Sequence, residues 1–370
     1  MITWLLAAAL AASPATAETP AAPRVEVPVS TPDLAVSVPT PRQVMELPPP
    51  LLEALKANVI DRSPRGLARL ERLVAYMYDP DGLDIRYSHD ANHTVAEVWT
   101  TRQANCLSFT LMTIAMARAA GLEAYGQEIA RTLAWYAEGE TLYFSNHVNA
   151  GLRIGPHEYT VDVGSDSVMT QDPPRRVDDS RLMSVYYSNR AAGLLAEGAN
   201  AAAGRFIDAA LAADARYPAA WNNAGVLRLR NGDPAAAEAA FLQALEIDRS
   251  HDGTLMNLAS LYASRGDHAT AELYRKRLEK LRQRNPYHMF LLAVEAERRD
   301  DYATAERQYR RAISLHEEEH RFHFGLARVQ LHLGDARGAG RSLRRAYELS
   351  SGDMQAGYAA KLDVLRRKGL

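Results

Sequence analysis

Residues 218–251 read PAAWNNAGVLRLRNGDPAAAEAAFLQALEIDRSH, and the pattern recurs with a period of 34 on both sides of them. Blocks 184–217, 218–251, 252–285, 286–319 and 320–353 follow one another without a gap. One column of small residues holds Ala191, Gly225, Ala259, Ala293 and Ala327, and a second holds Ala203, Ala237, Ala271, Ala305 and Ala339. A third holds Ala210, Ala244, Leu278, Ala312 and Ala346. Small side chains at fixed points are what two helices need to cross closely. The column Gly198, Gly232, Gly266, Asp300, Gly334 then marks the turn between them, where glycine adopts left-handed backbone without steric cost.

A helical hairpin of this period resembles the tetratricopeptide repeat. That resemblance implies an all-α superhelix whose concave surface receives a protein or peptide partner. The alternative is a structural extension without a ligand. Only Trp221 keeps the aromatic at the first large position, and Tyr274 lies one residue before the column of Phe241 and Tyr309, so the second helix of block three is expected to be irregular. Arg228, Arg230 and Arg265 are candidate anion contacts or simply a solvated face. Tyr358, Leu362 and Leu365 at helical spacing predict a terminal capping helix over 354–370.

Upstream, residues 102–121 read RQANCLSFTLMTIAMARAAG and contain the single cysteine of the chain, Cys106. The run after it has no polar stripe, so the helix is expected to be buried on most sides, with Gly121 as its stop. Cys106 then stands at a helix N-terminus, where unpaired N–H groups and the macrodipole favour a thiolate. An inert core cysteine is the competing reading. Before this helix, apolar spacing predicts helices over 51–60 and 65–78, and Thr94 with Glu97 predicts a capping box opening a helix over 94–102.

After it the period changes to two, predicting strands over 123–131, 141–154 and 157–163. The layout is α+β. A two-residue loop at Gly155-Pro156 pairs Ile154 with His157 and, further along, Asn149 with Asp162. His147 shares Asn149's face, so His147 and Asp162 become diagonal neighbours. A shift by one residue would separate them. Within reach of a cysteine, a histidine takes the thiol proton, and a carboxylate fixes its tautomer. Backbone N–H groups at the Cys106 helix start are then suited to an oxyanion, with Gln103 a further oxyanion candidate or a solvated polar residue. His89 and His93, in SHDANH, suggest a metal site, but without a cysteine or carboxylate cluster at ligand spacing a surface loop is the better reading.

TVAEVWTTRQANCLSFTLMTIAMARAAGLEAYGQEI, SNHVNAGL and YTVDVG together resemble the core of the transglutaminase-like superfamily, papain-related enzymes with a Cys, His, Asp triad in that order. The resemblance covers about 67–163 and implies Cys106 as nucleophile, His147 as general base and Asp162 as the orienting carboxylate. Two motif positions differ: Ala104 stands where Gly often precedes the cysteine, and His147-Val148-Asn149 replaces His-Ala-Trp. Bacterial members include proteases and acyl- or amide-transfer enzymes.

The apolar run near the N-terminus, followed by Ala15-Thr16-Ala17, reads as an export signal over 1–17 without a lipid-attachment cysteine, implying a periplasmic or secreted protein with no membrane span after cleavage. The expected order continues with a proline-rich linker over 18–50, a catalytic domain over 51–180, five repeats over 184–353 and the capping helix. A net charge of −2 supplies no reason to expect nucleic acid, and no glycine-rich phosphate loop, metal or cofactor motif is present. The expected function is cysteine-based attack on amide bonds, hydrolytic in the first instance, with repeats recruiting the substrate. The alternative is a non-catalytic interaction scaffold in which the repeats carry the function.

Overall fold

The computed structural model describes residues 36–135, 142–163, 168–170 and 173–367. The expected signal segment lies outside these residues. The chain divides into two compact units, the first comprising Met1–Gln127, Val148–Val163 and Arg176–Ile247 and the second Glu128–His147, Gly164–Arg175 and Asp248–Leu370.

In the first unit, α1 (Pro41–Met45) and α2 (Pro49–Leu55) precede a π-helical turn at Lys56–Ile60, followed by α3 (Leu67–Tyr78), α4 (Val95–Thr101) and α5 (Cys106–Ala119). Thr94 caps α4 with the reciprocal Glu97 contact, so the capping box is present as read. Every residue of α5 from Leu107 to Ala117 is buried, the consequence of its all-round apolar sequence. The short strands β1 (Arg86–Tyr87) and β2 (Gln103–Ala104) pair in parallel just before α5.

The main sheet contains β3 (Glu123–Trp135), β4 (Leu142–Ile154), β5 (His157–Val161) and β6 (Val168–Thr170) in the order β5-β4-β3-β6. A further strand, β7 (Arg175–Val177), also pairs with β3. Gly155 adopts φ 58° in the two-residue turn, and β4 pairs antiparallel with β5 from Ile154↔His157 to Ala150↔Val161. This is the register that the loop length predicts.

One expectation is corrected here. The end of the presumed linker is folded: α1 carries its own capping box at Thr40, Val44 is fully buried, and Val36, Val38, Met45 and Leu47 pack on the core. Tyr187 donates to the Pro39 carbonyl at 2.7 Å and Arg205 to that of Val36 at 3.0 Å, so hydrogen bonds to distant helices overcome the extended bias of the prolines. One apolar cluster runs from Val44 through α5 and into Leu182, Tyr186, Phe206 and Ala240.

The repeats are helical hairpins throughout. The first unit holds α6 (Asp179–Ala196) with α7 (Asn200–Ala213) and α8 (Pro218–Arg230) with α9 (Pro234–Ile247). The second holds α10 (Asp252–Ser264) with α11 (His268–Arg282), α12 (Pro286–Arg298) with α13 (Tyr302–Leu315), α14 (His320–His332) with α15 (Ala336–Glu348), and the terminal α16 (Gly352–Arg367). All five members of the turn column are left-handed, including Asp300 at φ 59°. Ala203, Ala237, Ala271, Ala305 and Ala339 are fully buried. The second helix of the third block is an unbroken α-helix rather than irregular, and only its packing column departs: Arg275 is exposed where Phe241 and Tyr309 are buried, and Tyr274 instead stacks on Tyr262 with centroids 5.7 Å apart.

His251 opens α10 as an N-cap, its Nδ1 accepting from the Thr254 amide at 3.2 Å. Burial holds its pKa below the ordinary value, partly opposed by the charge of Asp248. Because the folded state resists protonation, this contribution is complete above about pH 6.5 and declines as the pH falls below it, when the unfolded chain takes up the proton first. Urea midpoints measured between about pH 7 and pH 5 are expected to fall more for the native protein than for His251→Asn, whose amide caps without titrating.

Candidate functional site

Asn105 sets the geometry at Cys106. Its side chain accepts from the Ser108 amide at 2.9 Å, capping α5, so that half-buried Cys106 occupies the first helical position. Ser108, fully buried, accepts from the His93 amide at 2.6 Å and lies 2.9 Å from the Ala91 carbonyl, clamping the preceding loop to the helix. Thr110 lies 2.7 Å from the Cys106 carbonyl and 3.1 Å from that of Val148, its hydroxyl proton serving both, which ties the cysteine helix to β4. Loss of the cap in Asn105→Ala is expected to cost about 1 kcal/mol, read as a lower thermal midpoint.

Asp162 follows β5 directly and is half-buried. Its Oδ2 accepts from Asn149 Nδ2 at 3.3 Å, so the strand register brings these two side chains together as expected. The Tyr78 hydroxyl donates to the Asp162 carbonyl at 2.8 Å, while its ring lies 5.3 Å from that of Phe109, one turn beyond Cys106. Burial first, and the charge of Asp162 second, push the Tyr78 phenol up to about 12. It therefore stays protonated and able to donate.

His147 is 1% exposed on β4 and closes the first segment of the second unit. Strand alternation puts it on Asn149's side of β4, a buried polar pair on one face. Gln103 is exposed in β2, and its backbone carbonyl lies 3.3 Å from the His93 ring. The His93 ring also lies 3.2 Å from Thr101, and His89 is 3.2 Å from Asp90. Among the described residues no group of three or more potential metal ligands converges.

Asn149 and Tyr78 escaped the sequence reading as partners of Asp162. The two-residue loop of the hairpin places Asn149 opposite Asp162 but carries no signal of their hydrogen bond. Tyr78 stands 84 residues from Asp162 and carries no local signature of that contact. The Asn105 cap was legible, since asparagine before an apolar helical run is a preferred N-cap.

In the repeats, Arg228 and Arg230 donate to the carbonyls of Ala236 and Leu195, so both knit helices together rather than standing ready for an anion. In the second unit Tyr309 is fully buried and donates to Glu297 at 2.9 Å, and Arg328 holds the same carboxylate. Desolvation, followed by the Glu297 charge, raises the phenol of Tyr309.

Tetratricopeptide-repeat family models match residues 218–251 and 290–353. The chain therefore carries tetratricopeptide repeats. No curated protein matches it. Similar solved structures include YrrB, described as a TPR protein with an unusual peptide-binding site, at 18% identity and TM-score 0.26 over 48% of this chain and 92% of that one. PilF of Pseudomonas aeruginosa is similar at 14% identity and TM-score 0.27, covering 50% of this chain and 93% of its own. MamA from Desulfovibrio magneticus is similar at 16% identity and TM-score 0.25, covering 45% and 94% respectively. No helix among the described residues is long and apolar enough to cross a membrane.

Proposed function

We propose that this chain binds a protein or peptide partner through its tetratricopeptide repeats. The observation that carries this reading is the run of five helical hairpins between Asp179 and Glu348, with left-handed turns at Gly198, Gly232, Gly266, Asp300 and Gly334. Helical hairpins of this kind present surfaces whose side chains vary while the packing positions stay small, an arrangement suited to protein or peptide ligands. An exported location, inferred from the leader, would set the partner outside the cytoplasm.

A second reading, favoured by the capped helix start at Cys106 and the pinned Asp162, adds chemistry of the transglutaminase-like type. In it the Cys106 thiolate attacks an amide carbon, His147 gives the leaving amine its proton, and a thioester forms. Water then attacks the thioester with His147 as base, releasing the carboxylate and restoring the thiol. Asp162 orients the imidazole, and helix-start N–H groups hold the oxyanion.

The deciding experiment is complementation in cells that depend on the protein. Truncation of residues 248–370 is expected to abolish function. Cys106→Ala separates the two readings: full function leaves a non-catalytic scaffold, and lost function at unchanged protein level adds the thiol. Partner binding retained by a chain lacking those repeats would overturn the first reading.

A further inference from the structure

Asp162 is held from two directions. Its carboxylate receives the amide of Asn149 at 3.3 Å, and its main-chain carbonyl receives the phenol of Tyr78 at 2.8 Å. Asn149 is 2% exposed, and its Oδ1 has no hydrogen-bond donor among the described residues. A buried amide oxygen without a donor is destabilising, so packing alone favours an apolar side chain at this position. The amide end that faces Asp162 is the one that contributes. It is neutral, so it restrains the carboxylate without adding charge.

We infer that Asn149 is a positioning residue that keeps the Asp162 carboxylate aimed for the thiol chemistry of Cys106, a role that rests on the second reading proposed above. Without the amide, the Asp162 carboxylate would turn away, and the imidazolium that maintains the thiolate would lose its counter-charge. The consequence is electrostatic rather than architectural. It therefore shows in a pH profile and not only in stability.

The test is the rate of Cys106 alkylation by iodoacetamide across pH, on the full chain and its His147→Ala, Asn149→Leu and Asn149→Ser forms, with thermal midpoints recorded in parallel. Leucine nearly conserves volume but cannot donate, and serine is too short to reach Asp162. Native labelling is expected to persist at about pH 6 and collapse in His147→Ala, whereas the Asn149 forms lose about tenfold at that pH, a one-unit move of the edge, and recover at high pH. If Asn149→Leu does not fold, Asn149→Ser decides. A low-pH edge that depends on His147 but is unmoved by either Asn149 change would overturn the positioning role alone. Native labelling that tracks an ordinary thiol and ignores His147 would overturn the underlying reading as well.

Discussion

Phe241→Ala is expected to destabilise the chain by about 3–5 kcal/mol, read as a lower urea midpoint. Phe241 is fully buried in α9, and its ring occupies the space that a side chain on Gly225 of α8 would need. A Cβ built on Gly225 would meet the ring at 2.4 Å, closer than any real contact. Gly225→Ala alone is therefore expected to cost about 1–3 kcal/mol by overpacking. In a Phe241→Leu background that cost should shrink, a non-additivity of about 0.5–3 kcal/mol. The control is Gly340 in α15, where nothing lies within 4 Å of an added Cβ. There alanine should stabilise by about 0.5–1 kcal/mol through helix propensity. Equal responses at Gly225 and Gly340 would show that the small-residue column is not set by the facing ring.

The second large effect concerns the thiol. The proposed thiol chemistry requires turnover on a panel of peptide amides that Cys106→Ala abolishes and His147→Ala lowers by about 10²- to 10⁴-fold, the usual contribution of a positioned acid–base group. On that proposal Asp162→Asn should fall in the same range with less loss of substrate binding, because the role proposed for Asp162 is to stabilise charge formed during reaction. Turnover that survives His147→Ala at the native rate would remove the acid–base assignment. Tyr78→Phe provides a graded comparison, since it withdraws a hydrogen bond from the Asp162 backbone and leaves the carboxylate in place.

The contrast between the two halves of the chain has a physical origin. In the repeats every decisive residue has its partner one helix away, so a period of 34 exposes the packing directly. Even the exception is readable: Asp300 takes the glycine column's left-handed backbone, as short polar side chains tolerate it, and its carboxylate accepts from Tyr302 at 2.6 Å. Tyr274, one residue before the column of Phe241 and Tyr309, marked the departure of the third block, in which α11 buries only Ala271 and Leu278.

Around Cys106 the sequence by itself determined the local devices: the capping box at Thr94 and Glu97, the all-round burial of α5, and the β4–β5 register through a two-residue loop. Each follows from chemistry within one element or one turn. Only the tertiary structure decided that residues 36–48 dock on the core, that the core runs unbroken into the first two repeats, and that Asn149 and Tyr78 hold Asp162. Tyr187 reaches Pro39 across 148 positions and Tyr78 reaches Asp162 across 84. Periodicity reports which face of an element is apolar. It does not report which distant polar atom that face will meet, because that depends on how separately specified elements pack against one another.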